Sequence, residues 1–156
     1  RYSPSSIHCW IMKKNSRYRQ GIFVPKNIDK FIGERAIYRS GLELKFFRFC
    51  DNNPKVVRWG SENVVIPYYN PLTKRNHRYH VDNYVVIKEG TAITKYLVEI
   101  KPYKQTLKPT TKYKQKKHII YEQVQFVRNQ AKWEAARKFC KGRGYKWLIL
   151  TEKELS

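Results

Sequence analysis

The stretch from Tyr79 to Lys101 constrains what this chain can fold into more than any other. It reads Tyr-His-Val-Asp-Asn-Tyr-Val-Val-Ile, then a Lys-Glu-Gly-Thr turn, and ends in Lys-Tyr-Leu-Val-Glu-Ile-Lys. β-Branched and aromatic residues fill both flanks, and the middle carries a glycine. The segment therefore predicts two strands joined by a hairpin. Each strand carries a residue that an apolar sheet should reject: Asp82 in one, Glu99 in the other. Residues two apart in a strand point to the same face, so Glu99 and Lys101 share one. A hairpin centred near Gly90 brings Asp82 beside them. Two carboxylates and an ammonium on one face of a buried sheet are costly unless they bind something. A divalent metal and a phosphodiester meet that requirement.

Charge narrows the choice of partner. The 156 residues hold 33 Lys and Arg against 12 Asp and Glu, a net charge of +21. A domain this basic repels itself and works best against a polyanion, with nucleic acid the leading candidate. An anionic membrane is the lesser option, since no long apolar helix or lipidation motif is present. The hydrophobic share of 41% and aromatic share of 15% argue for a folded domain rather than a basic tail. Cys9, Cys50 and Cys140 lie far apart with no Cys-x-x-Cys pair, which predicts buried thiols in a reducing compartment and no zinc. No signal-peptide pattern is evident, and the opening Arg1 suggests a processed or incomplete start.

Along the chain, residues 1–36 read as an irregular basic arm, with one short strand near Ile7–Met12. Arg17, Arg19, Lys26 and Lys30 in this arm are candidates to track a phosphate backbone. A folded domain would then span residues 37–156. A first helix is expected from Ile37 to Asp51, with Leu42, Phe46 and Phe49 at helical spacing and Glu43 at the edge of that stripe. Strands are expected at Val64–Tyr68, Tyr79–Ile87 and Lys95–Lys101. Pro102–Lys117 has six lysines, two prolines and no acid, and reads as a basic loop facing DNA. Residues 118–127 alternate β-branched and polar residues and are expected to be extended. Asn129 is expected to cap a helix from Gln130 to Lys141 that buries Ala135, Ala136, Phe139 and Cys140, with Gly142 and Gly144 stopping it. Tyr145–Leu150 completes the sheet, and Thr151 with Glu154 forms a capping-box pattern. No internal repeat is present.

The order helix, strand, strand, strand, helix, strand, with Asp on the second strand and Glu-x-Lys on the third, resembles the PD-(D/E)XK nuclease superfamily. The resemblance covers about residues 37–150. The proline often found before the aspartate is replaced by Val81. A helix glutamate ahead of the strands also recurs in that superfamily, and Glu43 occupies its place. The phrases Tyr38-Arg-Ser-Gly-Leu-Glu, Arg78-Tyr-His-Val-Asp, Leu97-Val-Glu-Ile-Lys-Pro, Asn129-Gln-Ala-Lys-Trp-Glu-Ala-Ala and Leu150-Thr-Glu-Lys-Glu-Leu resemble the head completion nucleases of T-even-type tailed phages. These are similar in fold to the endonuclease subunit of Tn7-type transposases. The resemblance implies an α/β fold, an αβββαβ restriction-endonuclease-like core with a mixed central sheet. It implies a nuclease that acts on packaged double-stranded DNA at the portal vertex before the tail joins. Portal, neck or other head completion proteins would be its partners, and its location the virion or the host cytoplasm during assembly.

Cleaving a phosphodiester requires an activated water and stabilised charge on the phosphorus centre and leaving oxygen. Carboxylates holding Mg²⁺, or Mn²⁺ in its stead, supply much of this. Asp82 is assigned as the bridging ligand, Glu99 as a second ligand, Glu43 as an outer or second-metal ligand, and the Ile100 carbonyl as completing the shell. Lys101 would orient the attacking water or neutralise the phosphate. No small-molecule cofactor is expected. His77 and His80 are weaker candidates, as are Gln105 and Glu122, and Trp10, Trp59, Trp133 and Trp147 read as core. Two other readings compete with a Mg-dependent nuclease: a non-catalytic basic DNA-binding structural protein of the portal or neck, and an RNA-binding module.

Overall fold

The computed structural model describes residues 20–112 and 114–155. β1 (Gly21–Phe23) and β3 (Ala36–Tyr38) pair as a small antiparallel sheet, and β2 (Phe31–Ile32) lies between them in sequence. A helix, α1 (Gly41–Asn52), follows. Then come the long strands β4 (Val56–Asn70) and β5 (Arg75–Glu89) and the shorter β6 (Ala92–Ile100). A single helical turn, α2 (Tyr103–Thr106), leads into a 28-residue helix, α3 (Lys116–Arg143). β7 (Lys146–Leu150) and α4 (Glu152–Leu155) end the described chain. The main sheet has five strands in the order β2-β4-β5-β6-β7. Its middle pairs, β4–β5 and β5–β6, are antiparallel, and its outer pairs, β2–β4 and β6–β7, are parallel. This is the mixed α/β sheet expected from the sequence, with the expected order of helix, three strands, helix and strand.

One helix covers each face. Phe46, Phe47 and Cys50 of α1 pack with Val56, Trp59, Val85, Val98 and Ile100. Trp133, Ala136 and Cys140 of α3 pack with Ile66, Tyr68, Tyr79, Val81 and Leu97. The period-two rule is visible in β6, where Leu97 faces α3 while Val98 and Ile100 face α1. The expected apolar stripe of α1 is rotated: Phe46, Phe47 and Cys50 are buried, and Phe49 is 43% exposed.

Several boundaries differ from expectation. The first helix begins at Gly41, not Ile37, because Ser40 and Glu43 form its capping box. The Ser40 hydroxyl accepts the Glu43 N–H at 3.2 Å, and the Glu43 carboxylate accepts the Arg39 N–H. Residues 36–38 are strand β3 instead. The expected extended segment at 118–127 is helix, and Asn129 is buried inside α3 rather than capping it. The packed second half of α3 carries the first half with it, which local alternation could not reveal. Gly144 ends the helix at φ 70, a left-handed position that suits glycine, and Gly142 lies inside the last turn.

The basic arm assigned to 1–36 is described only from Gln20, and its described part belongs to the folded body. Phe23 and Phe31 pack on the core, and Ala36 is fully buried. Lys30 does not track phosphates: its ammonium donates to the carbonyls of Cys50, Asp51 and Asn53 at 2.8–3.2 Å, closing the C-terminus of α1. The expected strand at Ile7–Met12, with Arg17, Arg19, Cys9 and Trp10, lies outside the described residues. Cys50 and Cys140 are buried free thiols, as expected. Thr151 and Glu154 form the expected box, with Glu154 accepting from both the N–H and the hydroxyl of Thr151 at 2.7 Å. Among the described residues, no helix is long and apolar enough to cross a membrane.

Candidate active site

The site is built where β5 parts from β6. Their pairing runs from Glu89 opposite Ala92 to Asn83 opposite Val98 and ends there. Asp82 is the next residue of β5. On its other side, Ser61 of β4 pairs with Asn83 and Val64 pairs with Val81, so Glu62 and Asn63 together oppose Asp82. This is a β-bulge, with Glu62 in the left-handed region at φ 56. Such a bulge bends its strand and re-aims nearby side chains. Asn83 fastens it from below, its amide donating to the Gly60 carbonyl at 3.1 Å. Arg39, just ahead of α1, forms an ion pair with Glu62 and so ties the helix start to the bulge.

Beyond the last rung, the Ile100 N–H has no backbone partner on β5. The Asp82 carboxylate takes its place, accepting that N–H at 2.7 Å. Glu99 shares the face of Leu97, towards α3, and is 5% exposed. It accepts a hydrogen bond from the Tyr79 hydroxyl. Lys101, on the same face, places its ammonium 3.2 Å from the Glu99 carboxylate. The hairpin thus brings Asp82, Glu99, Ile100 and Lys101 together, as the sequence reading expects.

Electrostatics show how costly this gathering is. Burial pushes the Asp82 carboxyl well above its usual pKa, and the Glu99 charge raises it further. The Ile100 N–H and Lys101 oppose the rise, and Glu43 adds to it. Burial likewise raises Glu43, against the pull of Arg39 and Ser40. Tyr79 is raised by burial and then by the adjacent Glu99, so it stays a neutral donor. On α3, burial lowers the pKa of the Lys132 ammonium; the Glu99 charge opposes this, and Lys101 reinforces it. Lys132 lies 5.3 Å from the Tyr79 ring centre.

Glu43 is half-buried, as its place at the stripe's edge suggests, but its carboxylate serves the α1 capping box. Its charge reaches Asp82 without joining a tight cluster. Among the described residues, no three His, Cys, Asp or Glu side chains gather closely enough to cage a cation. The donor set is instead two adjacent carboxylates beside open backbone. That set fits a hard cation that keeps several of its own waters, as magnesium does. His80 is exposed and His77 bonds Thr73 at 2.7 Å. Gln105 and Glu122 line a cavity that also includes Lys101, with Glu122 paired to Lys114 at 2.6 Å. Trp59 and Trp133 are core, and Trp147 is partly buried.

Sequence reasoning missed Tyr79, Asn129 and Lys132. Tyr79 has the strand parity of Val81, which signals an inward position. Asn129 and Lys132 are three apart, a helical-face spacing, but the helix was expected to start between them.

Known proteins are similar to this chain in sequence. The family model described as "TnsA-like endonuclease N terminal" matches residues 53–152. The head completion nuclease of Enterobacteria phage T4 is 38% identical over 143 residues, covering 86% of this chain and 92% of that protein.

Proposed function

The chain belongs to the TnsA-like endonuclease family, and from that membership we propose that it hydrolyses phosphodiester bonds of double-stranded DNA using Mg²⁺, or Mn²⁺ in its place. Asp82 and Glu99 would hold the ion, with the Ile100 carbonyl as a further ligand. The observation that carries this reading is the carboxylate pair at the parting of β5 and β6, with Lys101 3.2 Å from Glu99. In an extended strand a residue's N–H and C=O lie on one edge. The Ile100 N–H points to Asp82, so its carbonyl opens on the same gap. When bound, the ion supplies a more acidic water and neutralises charge on the phosphate.

The chain's own groups do the rest. The Ile100 N–H orients Asp82, and the Tyr79 hydroxyl fixes Glu99. Lys101 orients the attacking water and offsets charge at the phosphate. Glu43 steadies the start of α1 and contributes an outer charge. The surplus of Lys and Arg gives affinity for the backbone without reading bases, so cutting shows little sequence preference. Similarity to the T4 head completion nuclease supports a role in phage head completion, in the assembling virion within the host cytoplasm. There the substrate is packaged DNA, and the partners are portal or neck proteins.

The test is cleavage of supercoiled and linear duplex DNA with Mg²⁺, with Mn²⁺ and with EDTA. Cutting is expected only with the metals. An Asp82→Asn or Lys101→Ala chain that cuts at the normal rate overturns the site. A phage whose heads mature normally with Asp82→Asn favours the competing reading, a non-catalytic DNA-binding protein of the neck.

A further inference from the structure

A half-enclosed cavity of about 540 Å³ lies between the segment after β6 and the first half of α3. Lys101 and Lys132 form part of its wall, and both ammoniums interact with Glu99. The cavity therefore adjoins the carboxylate pair. Its lining has five lysines and one acid, Glu122, which Lys114 already neutralises at 2.6 Å. The chemistry is that of a phosphate site.

Phosphate is not the whole of it. Tyr121 and Phe126 supply aromatic faces, and Tyr121 is 64% exposed without a packing role. Gln125 and Asn129 supply amides. Lysines for phosphate, rings for stacking and amides for a base edge together match a nucleotide. The volume falls in the range that encloses one small ligand. A duplex instead needs a broad open surface. A paired base has its faces stacked and its edge occupied, so it can offer neither to such a cavity.

We propose that this cavity takes one unpaired nucleotide of the DNA strand, held by Tyr121, Phe126 and Gln125 and by the lysines around them, next to the bond that is cut. The inference rests on the nuclease reading above and adds a substrate preference to it: frayed ends and single-stranded tails over intact duplex.

The test is fluorescence-anisotropy binding in EDTA, so that nothing is cut, with a blunt duplex and the same duplex carrying a short single-stranded tail. The tailed form is expected to bind roughly tenfold more tightly, the scale of one base–aromatic stack. Tyr121→Ala should bring that preference close to unity, Gln125→Ala should reduce it, and both should leave blunt-duplex affinity unchanged. Tyr121 is on an exposed helical surface where alanine preserves the helix, and an unchanged circular dichroism spectrum checks this. Equal affinity for the two DNAs overturns the proposal. So does a tail preference that survives both substitutions. Because binding is read without metal, a failure here leaves the cleavage test standing. Conversely, Asp82→Asn cutting normally would overturn the site without touching this result.

Discussion

Asp82→Asn should make the metal-free protein more stable while abolishing cleavage. The wild-type carboxylate accepts one hydrogen bond, from the Ile100 N–H at 2.7 Å, and otherwise confronts the buried Glu99. Asparagine keeps an acceptor for Ile100 and turns an N–H₂ donor towards Glu99, so repulsion becomes attraction. Two unit charges about 5 Å apart repel by about 3 kcal/mol at an effective dielectric near 20. Lys101 offsets part of this, and proton uptake caps it. A net gain of about 1–2 kcal/mol remains, in the usual range for a relieved local conflict. For a chain of this length that corresponds to a rise of roughly 4 °C in Tm.

The sign of the pH dependence follows from the same groups. The folded Asp82 pKa is raised above its usual 3.8, so the native state holds that proton more tightly than the unfolded chain. The stabilisation is fully present below 3.8 and is lost as pH rises through the folded value. The advantage of Asp82→Asn should therefore vanish near pH 4 and grow towards neutrality. Metal reverses the order. At about a hundred times its Kd, a ligand bound only by the native state stabilises by about 2.7 kcal/mol, which wild type gains and the variant lacks. Thermal unfolding by circular dichroism, in EDTA and in Mg²⁺ across pH, reads all of this. A variant less stable than wild type in EDTA at neutral pH refutes the repulsion argument. Equal stabilisation of both proteins by Mg²⁺ refutes Asp82 as a ligand.

Two further substitutions separate roles that the sequence left merged. Glu43→Gln keeps an acceptor for the Arg39 N–H but removes the charge that reaches Asp82. Stability should fall by less than about 1 kcal/mol, as for a retained cap, while cleavage drops at limiting Mg²⁺ and recovers when Mg²⁺ is raised; a metal titration that overlays wild type means Glu43 is a cap alone. Lys30→Met removes the ammonium that three carbonyls at the end of α1 share. Loss of about 1–2 kcal/mol in urea unfolding is expected, with no change in the salt dependence of DNA binding; a weakened salt slope would restore it to the DNA-binding surface.

The hairpin that carries Asp82, Glu99 and Lys101 was legible because its signals are local. Alternation set the faces of β6, Gly90 set the turn, and the register carried the pairing to Asn83 opposite Val98, next to Asp82 and Glu99. In β5 strict alternation fails, since Val81 packs towards α3 and Val85 towards α1. What stayed hidden depends on contacts distant in sequence. Residues 118–127 alternate like a strand, yet they are helical because the rest of α3 is anchored by Trp133, Ala136 and Cys140. Lys30 looks like a phosphate ligand until α1 ends beside it. The Ser40–Glu43 box was readable and outweighs the apolar spacing that suggested an earlier start. The bulge at Glu62 is signalled only by Gly60, two residues ahead, where a Cβ would meet the Asn63 side chain at 2.7 Å.

That bulge links fold and chemistry. If β4 and β5 paired without interruption, β5 would remain in register with β6 past Asn83, and the Ile100 N–H would find a backbone acceptor. Asp82 would then lack the donor that orients it. Instead Glu62 and Asn63 oppose Asp82 alone, the β5–β6 ladder stops at Asn83, and the carboxylate fills the missing rung. The same irregularity that costs a backbone hydrogen bond aims a charged group at Glu99. Glu62 forms an ion pair with Arg39, whose backbone N–H is accepted by the Glu43 carboxylate of the Ser40–Glu43 cap. The bulge, the helix cap and the carboxylate pair therefore form one mechanical unit, so shortening β4 by one residue at the bulge should disturb Asp82 more than any change to the Gly90 turn.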